Sequence, residues 1–124
     1  MTSGKKALVG LHDRFVANAF MRQLRGKGFT IDQALDLHAM QEYCGHTRYD
    51  ILIMDLNLGC EGDLDITPAR TIYNLLQQQG IEGLEQKFRG VSGSDEVIKL
   101  AQKEGIPAYS KTNFYHHLRE LLEK

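Results

Sequence analysis

The stretch Tyr49-Asp50-Ile51-Leu52-Ile53-Met54-Asp55 constrains this chain more than any other. The residues from Tyr49 to Met54 read as a buried strand, and a carboxylate stands where the strand runs out. In an open α/β sheet, ligands and chemistry collect at the carboxyl ends of the strands. Asp55 is therefore placed as a working group. The plainer alternative is an Asp that ends a strand and starts a turn.

The rest of the apolar pattern alternates between short runs and helical stretches. Ala7 to Leu11 reads as the first strand. Phe15, Val16, Ala19, Phe20 and Leu24 then recur at helical spacing, and Gly26-Lys27-Gly28 stops that helix. Phe29-Thr30-Ile31 opens a second strand. Leu37 to Tyr43 suits a helix closed near Gly45. After the Tyr49–Met54 strand comes an acidic, glycine-bearing loop, Gly59 to Asp65. Thr67 is the expected cap of the next helix, with Pro68 at its first position. That helix ends at Gly80, and a second loop runs through Glu85.

The fourth strand is expected over Lys87 to Val91, although Arg89 and Gly90 suit a central strand poorly. Ser94 caps a helix that runs through Glu104. Ile106 to Tyr109 is the fifth strand, which Pro107 assigns to the sheet edge. A last helix begins near Asn113. Strands alternating with helices imply parallel pairing and right-handed crossovers, hence a doubly wound, three-layer α/β sandwich.

With 124 residues, the length is that of one domain, expected to span 1–124. No apolar run is long enough to cross a bilayer, and no apolar segment follows the N-terminal lysines, so a cytoplasmic location is expected. A net charge of −1, from 15 Lys and Arg against 16 Asp and Glu, argues against direct nucleic-acid binding. Cys44 and Cys60 lack metal-site or disulfide spacing and read as packing or loop residues. His116 and His117 point to different faces of a helix and read as surface residues. No phosphate-cradling glycine motif is present.

The strand ends carry a constellation. His12-Asp13 follows the first strand, Asp55 the third, Ser92-Gly93 the fourth and Ser110-Lys111-Thr112 the fifth. A carboxylate, a hydroxyl and a lysine on one sheet edge are parts that can manage a phosphoryl group. The carboxylate attacks phosphorus, and the ammonium and a divalent metal offset charge on the phosphoryl oxygens.

Over essentially its whole length the chain resembles the receiver domain of two-component response regulators. The matching residues are Asp50 to Asp55 with Asn57, then Val91-Ser92-Gly93, then Lys111. The resemblance implies a flavodoxin-like fold, a five-stranded parallel sheet with helices on both faces. It implies a phosphorelay signalling module rather than an enzyme, taking a phosphoryl group from a histidine kinase or phosphotransfer protein onto Asp55, with Mg²⁺. By the same resemblance, Asn57 offers a backbone carbonyl to the metal, Ser92 is the switch hydroxyl and Lys111 pairs with the phosphoryl group. A downstream protein partner is implied, and no membrane contact. Receivers often form homodimers through the two helices that flank the last strand, where Tyr115 and Arg119 are available. The chain ends at Lys124, directly after the last helix, so a regulator without an output domain, or a domain of a longer protein, is expected.

The departures from the family are specific. Two adjacent acids usually hold Mg²⁺ at the end of the first strand. An ungapped count back from Gly28-Phe29 puts Leu11 and His12 there, with Asp13 one residue late. Leucine offers no oxygen to a hard cation, and imidazole suits transition metals better. Either a bulge brings Asp13 to the metal with Asp55 and Asn57, or Mg²⁺ binding is weakened. In the second case Leu11 extends the buried strand, His12 is an exposed loop residue, and the chain is a phosphorylation-independent interaction module. Ala108 stands where receivers tend to carry an aromatic switch residue. Thr112 replaces the usual proline, and the interval from Asp55 to Ser92 is several residues long. Glu61, Asp63 and Asp65 in the acidic loop offer alternative oxygen donors. A haloacid-dehalogenase-like phosphatase would need an acid at position 57, where Asn57 cannot transfer the proton.

Overall fold

The computed structural model describes residues 5–59 and 64–123. Five strands form one parallel sheet in the order β2-β1-β3-β4-β5. They are β1 (Lys6–Gly10), β2 (Thr30–Gln33), β3 (Ile51–Asp55), β4 (Phe88–Ser92) and β5 (Ala108–Ser110). The helices are α1 (Arg14–Gly26), α2 (Leu37–His46), α3 (Thr67–Gln78), α4 (Leu84–Lys87), α5 (Asp95–Lys103) and α6 (Lys111–Leu122). This is the doubly wound, flavodoxin-like architecture that the alternation of elements predicts. No helix among the described residues is long and apolar enough to cross a membrane.

The strands sort their side chains by parity, as the pleat requires. Ala7, Val9, Ile51, Ile53 and Val91 pack with Ala17, Phe20 and Leu24 of α1 and with Phe114 and Leu118 of α6. Leu8, Leu52, Met54 and Phe88 pack with Met40 of α2, Ile72 of α3 and Val97 of α5. Both sheet faces are thus buried, which is why β3 reads as an unbroken apolar run. The strand order reverses between β1 and β3, and a crevice opens beyond the carboxyl ends of those two strands.

Several boundaries differ from expectation for local reasons. β1 ends at Gly10, and Leu11 stays fully buried beyond it in the α1–α6 core. The third strand starts at Ile51. The Asp50 carboxylate accepts the Lys6 backbone N–H at 2.8 Å, and the half-buried Tyr49 donates its hydroxyl to Asp32 at 2.7 Å. α2 runs on to His46, and α6 begins at Lys111, capped by Ser110, whose hydroxyl oxygen accepts the Asn113 N–H at 3.1 Å.

Thr67 is the first residue of α3 and not its cap. Asp65 accepts both the Thr67 N–H and the Thr67 hydroxyl, at 2.8 and 2.6 Å. The loop expected to run to Glu85 holds the short α4, and Lys87 ends it rather than opening β4. Ser94 caps α5 as expected.

β4 is buried along its whole length, despite Arg89 and Gly90. A Cβ on Gly90 would sit 2.3 Å from Leu56 Cδ2, so the missing side chain is the space that Leu56 fills. Arg89 lies over the Tyr109 ring, 5.6 Å from its centroid, and donates a hydrogen bond to the Tyr109 hydroxyl. β5 occupies the edge that Pro107 predicts. Pro107 itself lies just before the strand, where its carbonyl accepts the Gly90 N–H at 3.1 Å.

Candidate functional site

Asp55 is the last residue of β3 and is only 2% exposed. Burying a carboxylate is costly unless it is paired and hydrogen-bonded. Both of its oxygens are engaged. Oδ2 accepts the backbone N–H of His12 at 2.7 Å, across the crevice between β1 and β3. Oδ1 lies 3.0 Å from the Lys111 Nζ, an ion pair in which no donor is aligned on Oδ1 for a hydrogen bond. The Lys111 side chain is 25% exposed, so the ammonium end of the pair faces partly outward.

Each partner is held by its own element. Lys111 opens α6 directly after β5, and the Ser110 cap fixes that start. His12 lies between β1 and α1. Its side chain is exposed, and its backbone amide is the group that reaches Asp55. Ser92 ends β4, one residue past Val91, the register partner of Asp55. Its buried Oγ accepts the Ser94 N–H at 3.0 Å, leaving the hydroxyl hydrogen as the group it can donate. Asn57 follows in the turn after β3 and is half-buried. Asp55, Ser92 and Lys111 thus share one sheet edge.

The residues around the first strand do other work. Asp13 is the N-cap of α1, and its Oδ1 accepts the amides of Phe15 and Val16 at 2.9 and 3.3 Å. Leu11 is fully buried. Ala108 is buried, and the ring beside it, Tyr109, stacks on His117 with centroids 5.1 Å apart. His117 is therefore half-buried rather than a surface residue, while His116 is exposed as expected. Phe15, read as part of the buried helical face, is 89% exposed.

Glu61, Asp63 and Cys60 lie outside the described residues. Asp65 is exposed, and its hydrogen bonds from Thr67 hold its carboxyl below the usual carboxylate range. Cys44 is buried, and burial pushes its thiol up to about 11, far from reactive thiolate chemistry.

Among the described residues, no group of three or more His, Cys, Asp or Glu side chains could hold a metal ion. Among the described residues, the donor set does not fit Mg²⁺. A hard cation wants several oxygens. Leu11 has none to give, Asp13 spends its carboxylate on helix amides, and Asp55 already meets an ammonium and an N–H. The His12 amide has no signature in the sequence, because a backbone donor leaves no mark on residue identity. The exposure of Phe15 was hidden by its neighbour Val16, which is the inward residue of the two.

No protein-family model matches the sequence, and no curated protein is similar to it. Solved structures share the fold. The receiver domain of a Francisella response regulator is 15% identical, with a TM-score of 0.64, over 97% of this chain and 98% of that one. The receiver domain of a sensor histidine kinase from Pseudomonas aeruginosa PAO1, with magnesium coordinated in its active-site cleft, is 13% identical, with a TM-score of 0.59, over 98% and 100%. A de novo designed Rossmann 2x3 protein matches with a TM-score of 0.67 at 14% identity, over 97% and 90%. A designed scaffold fits as well as natural receivers do, so the likeness establishes the fold and leaves function to the site.

Proposed function

We propose that this chain is a receiver-type signalling domain that works through protein contacts around the Asp55–Lys111 pair, without Mg²⁺-assisted phosphoryl transfer. The carrying observation is the state of the Asp55 carboxylate. One oxygen is taken by the His12 amide and the other by the Lys111 ammonium. The ammonium and the N–H supply the positive field that a divalent cation would otherwise supply to a buried carboxylate. Asp13 then serves α1 as a cap, and Leu11 serves the core. The expected partner is a protein that reads the loops around Asp55, Ser92 and Lys111.

A second reading keeps Asp55 as a phospho-acceptor, favoured by the shared edge of Asp55, Ser92 and Lys111. A carboxylate oxygen of Asp55 would attack the phosphorus of a phosphohistidine on a kinase or phosphotransfer protein. The P–N bond breaks, and the imidazole leaves with a proton. Lys111 and the Ser92 hydroxyl would then hold the transferred oxygens. Incubation with phosphoramidate and Mg²⁺, followed by intact-mass measurement, separates the two. The first reading expects unmodified protein. A phosphoryl adduct that Asp55→Asn abolishes overturns it in favour of the second.

A further inference from the structure

The amino ends of β3 and β4 lie at the pole of the sheet opposite Asp55. Leu52 and Phe88 are register partners there. Leu76 near the end of α3, with Ile81 and Leu84 from the segment that follows, closes over them and leaves a slot of about 20 Å³. That is room for one water-sized or methyl-sized group, and the walls are mostly apolar, so a water would find few partners inside. Gly80 and Gly83, at φ of +69° and +64°, make the turns that bring Ile81 and Leu84 into this position. The whole turn with α4 falls within the lengthened interval between Asp55 and Ser92. A more polar outer bay of about 210 Å³ adjoins the end of α2, and Arg48 and Gln79 line both hollows. The Gln79 side chain donates to the Cys44 carbonyl at 3.0 Å, which ties the ends of α3 and α2 together beside the slot.

The charged residues of the slot are both cations. Arg48 is exposed, Lys87 is half-buried, and both line it. Among the described residues neither has an ion-pair partner. Among the same residues no Asp or Glu lines either hollow. The acids of the neighbourhood are spent elsewhere or stand outside. Glu42 pairs with His38 and His46 along α2, and Asp32 accepts the Tyr49 hydroxyl. Glu85 is exposed and acts on Tyr73, and Glu82 is exposed in the turn after Ile81. The selectivity therefore sits in the lining and not in the surrounding surface. A cleft lined by one sign of charge over low-dielectric walls concentrates the field and the counter-ion. Ligand pockets combine apolar walls with a few polar groups that fix orientation.

We infer that this pole binds a small aliphatic carboxylate, with the end of its tail in the slot and its carboxylate held by Arg48 and Lys87. The size of the slot selects the tail. It admits a terminal methyl group and excludes an aromatic ring or a helix. The cations select the head group, because a carboxylate supplies the charge that both of them lack in the described structure. The polar bay leaves the head group hydrated on its outer side. The site is at the other end of β3 from Asp55, so it stands whichever reading of that carboxylate holds.

Titration of the full, isotope-labelled chain with sodium butyrate at constant ionic strength, followed through backbone amide shifts, tests this. Saturable shifts are expected at Leu76, Ile81, Leu84 and Phe88. Butyrate should bind about fourfold or more tighter than acetate, the gain from burying at least one more methylene. Arg48→Gln and Lys87→Gln should each weaken butyrate binding by about fivefold or more, through loss of a charged partner. Arg48 is exposed, so Arg48→Gln retains the fold and decides the matter alone if Lys87→Gln does not fold. Acetate binding as tightly as butyrate marks an adventitious ion only and overturns the proposal. Butyramide binding as tightly as butyrate shows that the cations select nothing, and overturns it as well. So does the absence of saturable shifts at the slot, or binding unchanged in Arg48→Gln. Shifts centred on Asp55, Ser92 and Lys111 assign the anion to the opposite pole and overturn it too.

Discussion

The backbone N–H of His12 donates to Oδ2 of Asp55 at 2.7 Å, across the crevice where the strand order reverses. This contact joins the end of β1 to the end of β3 through a main-chain donor. It brings position 12 to the carboxylate through its amide, whatever its side chain. Together with Lys111 beside Oδ1, it gives each Asp55 oxygen a positively polarised neighbour.

Removing the ammonium should expose the cost of the buried carboxylate. Lys111→Met is expected to lower unfolding stability by roughly 2–3 kcal/mol, somewhat less than a fully buried pair because Lys111 is partly solvated. Asp55→Asn in the same chain should recover much of that loss. Urea unfolding of the two single variants and the double variant measures the coupling. Additive effects would show that the pair carries no energy.

The role of Asp13 is equally open to measurement. Asp13→Ala should cost about 1 kcal/mol through loss of the α1 cap, and Asp13→Asn only a few tenths. Denaturant unfolding gives both numbers. A loss as large for Asn as for Ala would mean that the negative charge, and not the acceptor oxygen, is what position 13 supplies.

The fourth strand makes a packing prediction. Gly90→Ala places a methyl group 2.3 Å from Leu56 Cδ2, and should destabilise the domain by about 1–3 kcal/mol. Leu56→Ala alone should cost about 2–5 kcal/mol from the cavity it leaves. The double variant should be more stable than the sum of the two losses implies, because each change makes room for the other.

The sheet edge was legible in the sequence because its signals are local. A run such as Ile51 to Met54 needs cover on both faces, and polar residues at Asp55, Ser92 and Lys111 fall where strands end. The cap at Ser94 is a signal of the same kind. β4 was harder to read because its fitness depends on distant residues. Leu56 fills the space above Gly90, and Tyr109 shelters Arg89. Neither partner is visible from the strand itself. Phe15 and Val16 are adjacent, and helical spacing alone does not decide which of two neighbouring apolar residues turns inward. The one-residue offset of Asp13 leaves open in the sequence whether it reaches the metal, and the geometry puts its carboxylate on the α1 amides.

Acid should weaken the surface link between α3 and the end of α5. Arg70 holds the Glu104 carboxyl below its ordinary value through a hydrogen-bonded pair. A depressed carboxylate adds stability above its unfolded pKa, and that stability is lost as pH falls through the folded value. The contribution should therefore be intact at neutral pH and fade below about pH 4.5. In Arg70→Gln this part of the pH dependence should flatten, which thermal melts across the acid range would register. The group is exposed, so a small effect is expected.

The most direct test of the central claim is thermal unfolding with Mg²⁺ and with EDTA, on the wild-type chain and on Asp55→Asn. Anything that binds only the folded state raises the midpoint. The wild-type midpoint is predicted to be the same in both conditions. A wild-type midpoint that rises with Mg²⁺, and loses that rise in Asp55→Asn, would contradict the account and return Asp55 to metal-assisted chemistry.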